Sequence, residues 1–194
     1  MKSIILSRRN FREFDQIISL YTLERGKLEV LARGIKKITS KNSPALEPGC
    51  LVEAEIINGK ELNHLGSVQL LESYKNIRIN LEKSLATKFI LGLFDKVVQE
   101  REPDKDLFLL LDSRLSFLAN TNVIASNHEA VSLFIDIFVA KFLKILGFSN
   151  GNVLEDLKFQ NFKNQRFDKK LHDELCQSLV YNLDIKVNDW AYLI

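Results

Sequence analysis

Near residue 77 the hydrophobic period of this chain changes from two to about 3.6, which restricts the fold to strands followed by helices. Ahead of that point lie short runs built for a pleated sheet. Residues 3–7 (SIILS) are apolar and residues 16–22 (QIISLYT) are rich in β-branched and aromatic types. In residues 27–33 (KLEVLAR), Leu28, Val30 and Ala32 alternate with Lys27, Glu29 and Arg33; in residues 50–57 (CLVEAEII), Val52, Ala54 and Ile56 oppose Glu53 and Glu55. Such alternation gives each strand one dry and one wet face. Asn58-Gly59 is a hairpin signal, with residues 61–71 predicted as the returning arm, bent at Gly66. Gly26 and Gly34 bracket the third run as turn residues, and residues 34–49 are predicted as a long exposed loop.

Five short strands in about 75 residues point to a small closed barrel such as an OB-fold, and an SH3-like barrel reads much the same. The helical part begins at Asn80, a suitable N-cap, with apolar residues at 81, 85, 89, 93 and 97 and extras at 86, 90 and 94. Asp104 is placed to cap a second helix running to about Ala119. Asn127 is placed to cap a third, ending at Gly147. The third helix is apolar nearly all round and belongs at the centre of a bundle. A short segment near 154–162 and a helix from Asp168 to Leu183, carrying Leu171, Leu175, Leu179 and Leu183, complete the chain. The fold class is therefore α+β, a five-stranded barrel over residues 1–76 followed by an all-α domain over residues 77–194.

Function has to be read from charge and from the absence of catalytic signatures. The overall balance is +2, but residues 1–80 hold 13 Lys/Arg against 9 Asp/Glu, and the remainder hold 14 against 16. The excess of cations thus lies in the barrel, which suits a polyanionic partner. Between Val30 and Leu46 there is no acidic residue, while Arg33, Lys36, Lys37 and Lys41 are present. Lysine and arginine neutralise phosphates and release counterions, giving salt-dependent and sequence-tolerant affinity. Arg8, Arg9 and Arg12 extend this surface if the barrel brings its first and third strands together. Phe11, Phe14 and Tyr21 are candidates for base stacking, with core packing as the alternative for each.

No phosphate loop, dinucleotide-binding fingerprint or nucleophile elbow occurs, so no cofactor and no catalytic residue are expected. His64, His128 and His172 fall in three different elements with no partner nearby in sequence and are expected to be ordinary surface or packing residues. Cys50 and Cys176 are too far apart in sequence to suggest a zinc site or a disulfide framework. The start, MKSIILSRRN, has too short an apolar run for a signal peptide, and the stretch Ala130–Leu146 is interrupted by Asp136, Lys141 and Lys144. A cytoplasmic protein without a membrane partner is expected.

The segment 11–34 (FREFDQIISLYTLERGKLEVLARG) resembles the N-terminal signature of the bacterial recombination mediator family RecO. The matching features are Glu13 and Asp15 ahead of an apolar strand, Thr22, the Gly26-Lys27 turn, and Ala32-Arg33-Gly34 leading into a basic loop. Further pieces follow in order. Leu46 and Pro48 precede CLVEAEII, the Asn58–Leu62 hairpin follows, residues 99–108 resemble the link between the first two long helices, and FLKILGF at 142–148 resembles the end of the central helix.

This resemblance implies an OB-fold joined to a helical domain in a DNA repair protein of the cytoplasm and nucleoid. It also implies binding of single- and double-stranded DNA, annealing of strands coated by single-strand-binding protein, and loading of RecA together with RecR, without nucleotide hydrolysis. Carried over, DNA contacts fall on Arg33, Lys36, Lys37 and Lys41, extending to Arg8, Arg9, Arg12 and Lys27. The acidic C-terminal tail of single-strand-binding protein falls on the helical domain, where Lys141 and Lys144 are its candidate cations and salt bridging or solvation at a helix end is the alternative. The cysteine cluster of many relatives is missing, so no zinc module is expected, and residues 149–194 match nothing in the family pattern. The competing reading is a protein-interaction adaptor whose barrel no longer binds DNA.

Overall fold

The computed structural model describes residues 1–37, 42–122, 128–148 and 168–185. Among the described residues, five strands, β1 (Lys2–Asn10), β2 (Gln16–Thr22), β3 (Gly26–Ala32), β4 (Leu51–Ile57) and β5 (Asn63–Glu72), precede five helices. The helices are α1 (Lys75–Arg78), α2 (Leu81–Val97), α3 (Lys105–Asn120), α4 (His128–Ile145) and α5 (Lys169–Leu183). The chain forms two compact units. Met1–Tyr74 and Leu91–Asp112 make the first; Lys75–Ile90 and the chain from Ser113 onward make the second. The segment Leu91–Asp112 carries the end of α2 and the start of α3, so the barrel unit includes helical chain from beyond the point where the hydrophobic period changes. Among the described residues, no helix is long and apolar enough to cross a membrane.

The strands close in the order β1-β2-β3-β5-β4, with β4 returning to β1. The β1–β2, β2–β3, β4–β5 and β1–β4 pairs are antiparallel, whereas β3 and β5 run parallel over Val30↔Asn63 and Leu31↔His64. This five-stranded closure is that of an OB-fold. Alternation sorts the faces as expected: Leu28, Val30, Ala32, Val52 and Ala54 point into the barrel core with Ile5, Ile18 and Leu20. Glu53 and Glu55 face outward.

Every residue of β2 is buried because both faces are covered. Ile18 and Leu20 enter the barrel. Tyr21 faces the other way, edge-on to Phe94 at 5.6 Å and stacked on Phe108 at 6.3 Å. Its ring is fully buried, its hydroxyl donates to the Asp104 carbonyl at 3.3 Å, and burial pushes its pKa up to about 12. The stacking role considered for Tyr21 is thereby corrected, since a ring enclosed by two others has no face to offer a base.

Two further expectations in this unit are revised. The stretch 34–49 is not uniformly exposed: Ile35, Ala45 and Leu46 join the barrel core, the last two on a 3-10 turn over Ser43–Leu46. Burying these apolar side chains offsets the entropy of ordering a polar connection. The Asn58-Gly59 pair does not form a two-residue hairpin turn. Ile57 pairs with His64 across a longer connection, and Gly59 is absent from the positive-φ residues. Gly59 is required there by close approach instead, since a Cβ would lie 1.9 Å from the Leu62 carbonyl oxygen. The expected bend at Gly66 is present as a shift in β4–β5 register between Ala54 and Ile56.

Helix ends follow local capping chemistry. The Asn80 side chain accepts the Lys83 N–H at 2.9 Å, and Asp104 accepts those of Asp106 and Leu107 at 2.8 and 3.0 Å. Asp168 caps α5 through the N–H groups of Lys170 and Leu171. At the end of α4, Gly147 N–H donates to the Lys144 carbonyl and Phe148 N–H to that of Leu143, the paired pattern of a Schellman cap. The cap assigned to Asn127 and the segment near 154–162 lie outside the described residues.

The expected apolar stripe on α2 supplies its buried face through Ala86, Ile90, Leu93 and Phe94, joined by Leu91. At the first residue of the helix the stripe is open, with Leu81 70% exposed. Within the second unit α4 is the spine, buried continuously from Ala130 to Ala140. Phe134 stacks on Phe117 at 5.6 Å and Phe138 on Phe142 at 5.8 Å.

Candidate nucleic-acid interface

Two loops meet at one end of the barrel. The first, residues 11–15, joins β1 to β2 and carries Phe11, Arg12, Phe14 and Asp15; the second, residues 33–37, leaves β3 and carries Arg33, Lys36 and Lys37. The Lys36 N–H donates to the Phe14 carbonyl at 3.1 Å, and the Gly34 N–H donates to Asp15 Oδ1 at 2.8 Å. Buried Ile35 anchors the second loop in the barrel core, while Arg33, Lys36 and Lys37 around it stay exposed. Gly34 has φ +63°, a backbone geometry that a side chain would strain.

Both phenylalanines remain open to solvent, Phe11 at 42% and Phe14 at 44%. Cations lie over them, the Arg12 guanidinium 5.1 Å from the Phe11 ring centre and Lys37 Nζ 5.7 Å from that of Phe14. Exposing two such rings forgoes burial worth about 1.5–3 kcal/mol each, so their retention at the surface calls for a reason. An aromatic face beside a cation is suited to a stacked base and its phosphate.

The cations named from sequence separate into two sets. Arg12, Arg33, Lys36 and Lys37 make no ion pair with any described residue. Arg8, by contrast, pairs with Glu47 at 2.8 Å, and Arg9 with Glu29 at 2.7 Å. Lys27 is the most committed: its side chain is 13% exposed, its Nζ donates to the Asp95 carbonyl, and the Asp95 carboxylate lies 3.6 Å away. That carboxylate also accepts the Ser7 and Ser19 hydroxyls at 2.7 and 2.5 Å. Lys27 therefore holds the end of α2 against the outside of β2 and β3. β2 lies between β1 and β3, and Arg9 reaches Glu29 across it. Lys41 lies outside the described residues.

In the second unit, Lys141 is half-buried at the end of α4 and Lys144 is exposed. Burial, then the nearby charges of Arg114 and Lys144, push the Lys141 amine below its ordinary range. Burial likewise pushes the Arg114 guanidinium down to about 10. Arg114 and Lys144 are thus the charges nearest in effect to Lys141, and a 42% exposed Phe148 follows the Schellman turn that ends α4. Arg114 lies on α3, and its membership of this cluster has no signal in the sequence.

His172, expected as a surface or packing residue, is a packing residue with polar partners. Its Nδ1 lies 2.7 Å from Asp136 Oδ1, its Nε2 lies 3.5 Å from Cys176 Sγ, and all three residues are buried. Burial pushes the thiol up to about 11, so it is protonated at neutral pH and the group has the character of a structural contact between α4 and α5. The i, i+4 spacing of His172 and Cys176 was a visible hint, but Asp136 is 36 residues away in sequence.

Comparison with known proteins divides the chain where the strands give way to helices. The family described as Recombination protein O N terminal matches residues 1–74, and that described as Recombination protein O C terminal matches residues 78–149. A DNA repair protein RecO from Desulforamulus reducens is 33% identical over 77% of this chain and 54% of its own length. One from Geobacter metallireducens is 30% identical over 76% of this chain and 57% of its own length. One from a Thermoanaerobacter species is 26% identical over 94% of this chain and 78% of its own. The chain spans about half the length of the first two relatives. With both family regions matched in order, and the barrel and helices that they imply present, this chain belongs to the recombination protein O family.

Proposed function

We propose that this chain is a non-catalytic mediator of DNA repair and recombination whose barrel tip binds DNA. The carrying observation is the junction of two loops bearing four cations, Arg12, Arg33, Lys36 and Lys37, that make no ion pair with any described residue, beside two exposed aromatic rings. Such a surface neutralises backbone phosphates on single and double strands alike, and stacking on Phe11 and Phe14 adds to the affinity for unpaired bases. Lowering repulsion between two backbones allows complementary strands to meet, so annealing requires no reactive group. Lys41 belongs to the same proposed surface by sequence. Arg8 and Arg9 on β1 are further candidates for this surface, at the added cost of releasing their present carboxylate partners, whereas Lys27 stands at the opposite end of β3 from the loop junction and is held by Asp95.

The cluster of Arg114, Lys141 and Lys144, with the exposed Phe148 four residues beyond Lys144 in the chain, suits an acidic, apolar peptide such as the C-terminal tail of single-strand-binding protein. Cooperation with RecR in loading RecA, and a place in the cytoplasm at the nucleoid, complete the proposal through family membership. The test is a salt titration of single-stranded DNA binding. Four cations neutralising phosphates give a slope of log K against log salt of roughly −3, at about −0.7 per contact. A flat salt response, or no binding at low salt, rejects the DNA reading and leaves the adaptor.

A further inference from the structure

The 11–15 loop carries two acidic residues, exposed Glu13 and the half-buried Asp15 at the junction with the second loop, and the position of Asp15 has its own explanation. Asp15 sits between Phe14 and the start of β2, close to cations that would bind phosphate. On charge alone a carboxylate there weakens attraction to a polyanion. Its hydrogen bonds lead in another direction. Oδ1 accepts the Gly34 N–H of the opposite loop at 2.8 Å, while its carbonyl accepts the N–H groups of Phe11 and Arg12 at 3.2 and 3.4 Å. One residue thus closes its own loop through its backbone and fastens the second loop through its side chain.

Building on the DNA-binding reading above, the geometry points to Asp15 as a positioning residue of the nucleic-acid interface. It holds the 11–15 and 33–37 loops together so that Phe11, Phe14, Lys36 and Lys37 act on one strand at once. The inter-loop contacts are the Asp15 bond to Gly34, the Lys36 bond to the Phe14 carbonyl, and Lys37 over the Phe14 ring. Only the first is made by a side chain that can be changed without touching a cation or an aromatic. Release of that bond frees the two loops to move separately, and a strand that engages both must then bear the cost of ordering them.

This role predicts a response opposite in sign to the one charge alone predicts. Asp15→Ala and Asp15→Asn remove the same negative charge, but only asparagine keeps an oxygen acceptor at the same distance along the side chain. Asp15→Glu keeps the charge and displaces the acceptor by one methylene. Binding of a fluorescent single-stranded oligonucleotide at several salt concentrations, with circular dichroism as a check of folding, separates the possibilities. The expected result is affinity lowered about tenfold in Asp15→Ala and Asp15→Glu, a salt slope shallower by roughly one, and parent-like or tighter binding in Asp15→Asn. If Asp15→Ala fails to fold, the contrast between Asp15→Glu and Asp15→Asn carries the test.

The inference is overturned if Asp15→Ala and Asp15→Asn bind equally well, or if Asp15→Asn is as impaired as Asp15→Glu. Lys36→Glu/Lys37→Glu is the control for the reading beneath it. A parent that does not bind, or is indifferent to that control, defeats the DNA interface itself. A parent that binds and responds to the control, with no split among the Asp15 variants, defeats only the positioning role.

Discussion

Replacing His172 with alanine is expected to cost the helical unit about 3–5 kcal/mol, because it strands the Asp136 carboxylate in a buried site. In the parent the two side chains are 7% and 1% exposed and 2.7 Å apart, and Asp136 Oδ2 has no partner among the described residues. Asp136→Ala is expected to be damaging as well, leaving a buried imidazole facing a cavity. Replacing both residues by leucine should cost less than either single truncation, since no unpaired polar group then remains. Hydrogen exchange at the amides of α4 and α5 is the suitable readout, as the two compact units need not unfold together. Equal losses in the single and double variants would contradict the pairing.

The same site has a predictable pH response. Burial pushes the Asp136 carboxyl from 3.8 up to about 6, a rise moderated by His172 and reinforced by Asp168 and Asp173. The folded state therefore holds this proton more tightly than the unfolded chain does. Its contribution is fully present below about pH 4 and is lost as the pH rises through about 6, an effect on the order of 2–3 kcal/mol. Asp136→Asn should remove that component, so the parent's protection at α4 and α5 should gain on the variant's as the solution is acidified. Parallel pH curves for the two proteins would show that Asp136 does not titrate in this window.

Local signals in the sequence led to correct elements where one residue and its near neighbours set the geometry. Asn80, Asp104 and Asp168 cap helices because a short polar side chain reaches an N–H two or three residues on, which depends on nothing distant. The strand faces of β3 and β4 follow from strict alternation. Errors arose where distant packing chose among local options. Leu81 stands on the apolar stripe of α2 yet is 70% exposed, and Ile35 and Leu46 were hidden inside a polar stretch whose average character is that of a loop. Tyr21 was open to either solvent or core until Phe94 and Phe108 enclosed it.

The candidate interface was legible to the same degree. A run without acidic residues marked Arg33, Lys36 and Lys37, but the partners that distinguish them from Arg8, Arg9 and Lys27 are 39, 20 and 68 residues away from those cations. The sequence has no local sign of which lysine or arginine is already spoken for. Asp15 illustrates the converse. It was recognisable as part of a family signature, while its hydrogen bond to Gly34 spans 19 residues and becomes visible only when β2 and β3 lie side by side.

Reversing the charge at Arg33, Lys36 and Lys37 together is expected to weaken single-stranded DNA binding at least ~100-fold at low salt, since attraction is replaced by repulsion at three phosphate contacts. The sharper test removes equal charge from the two sets of cations. Lys36→Gln/Lys37→Gln and Arg8→Gln/Arg9→Gln each lower the net charge by two, so any effect of the overall field is the same for both. In the first pair the lost cations have no carboxylate partner among the described residues, and each phosphate contact surrendered should flatten the salt slope by about one. In the second pair Glu47 and Glu29 already hold the guanidinium groups, so binding through them must first break an ion pair. The lysine pair should therefore lose clearly more affinity and more salt dependence than the arginine pair. Equal losses would mean that DNA senses only the total charge of the barrel, and a larger loss in the arginine pair would move the interface from the loop junction to the β1 face.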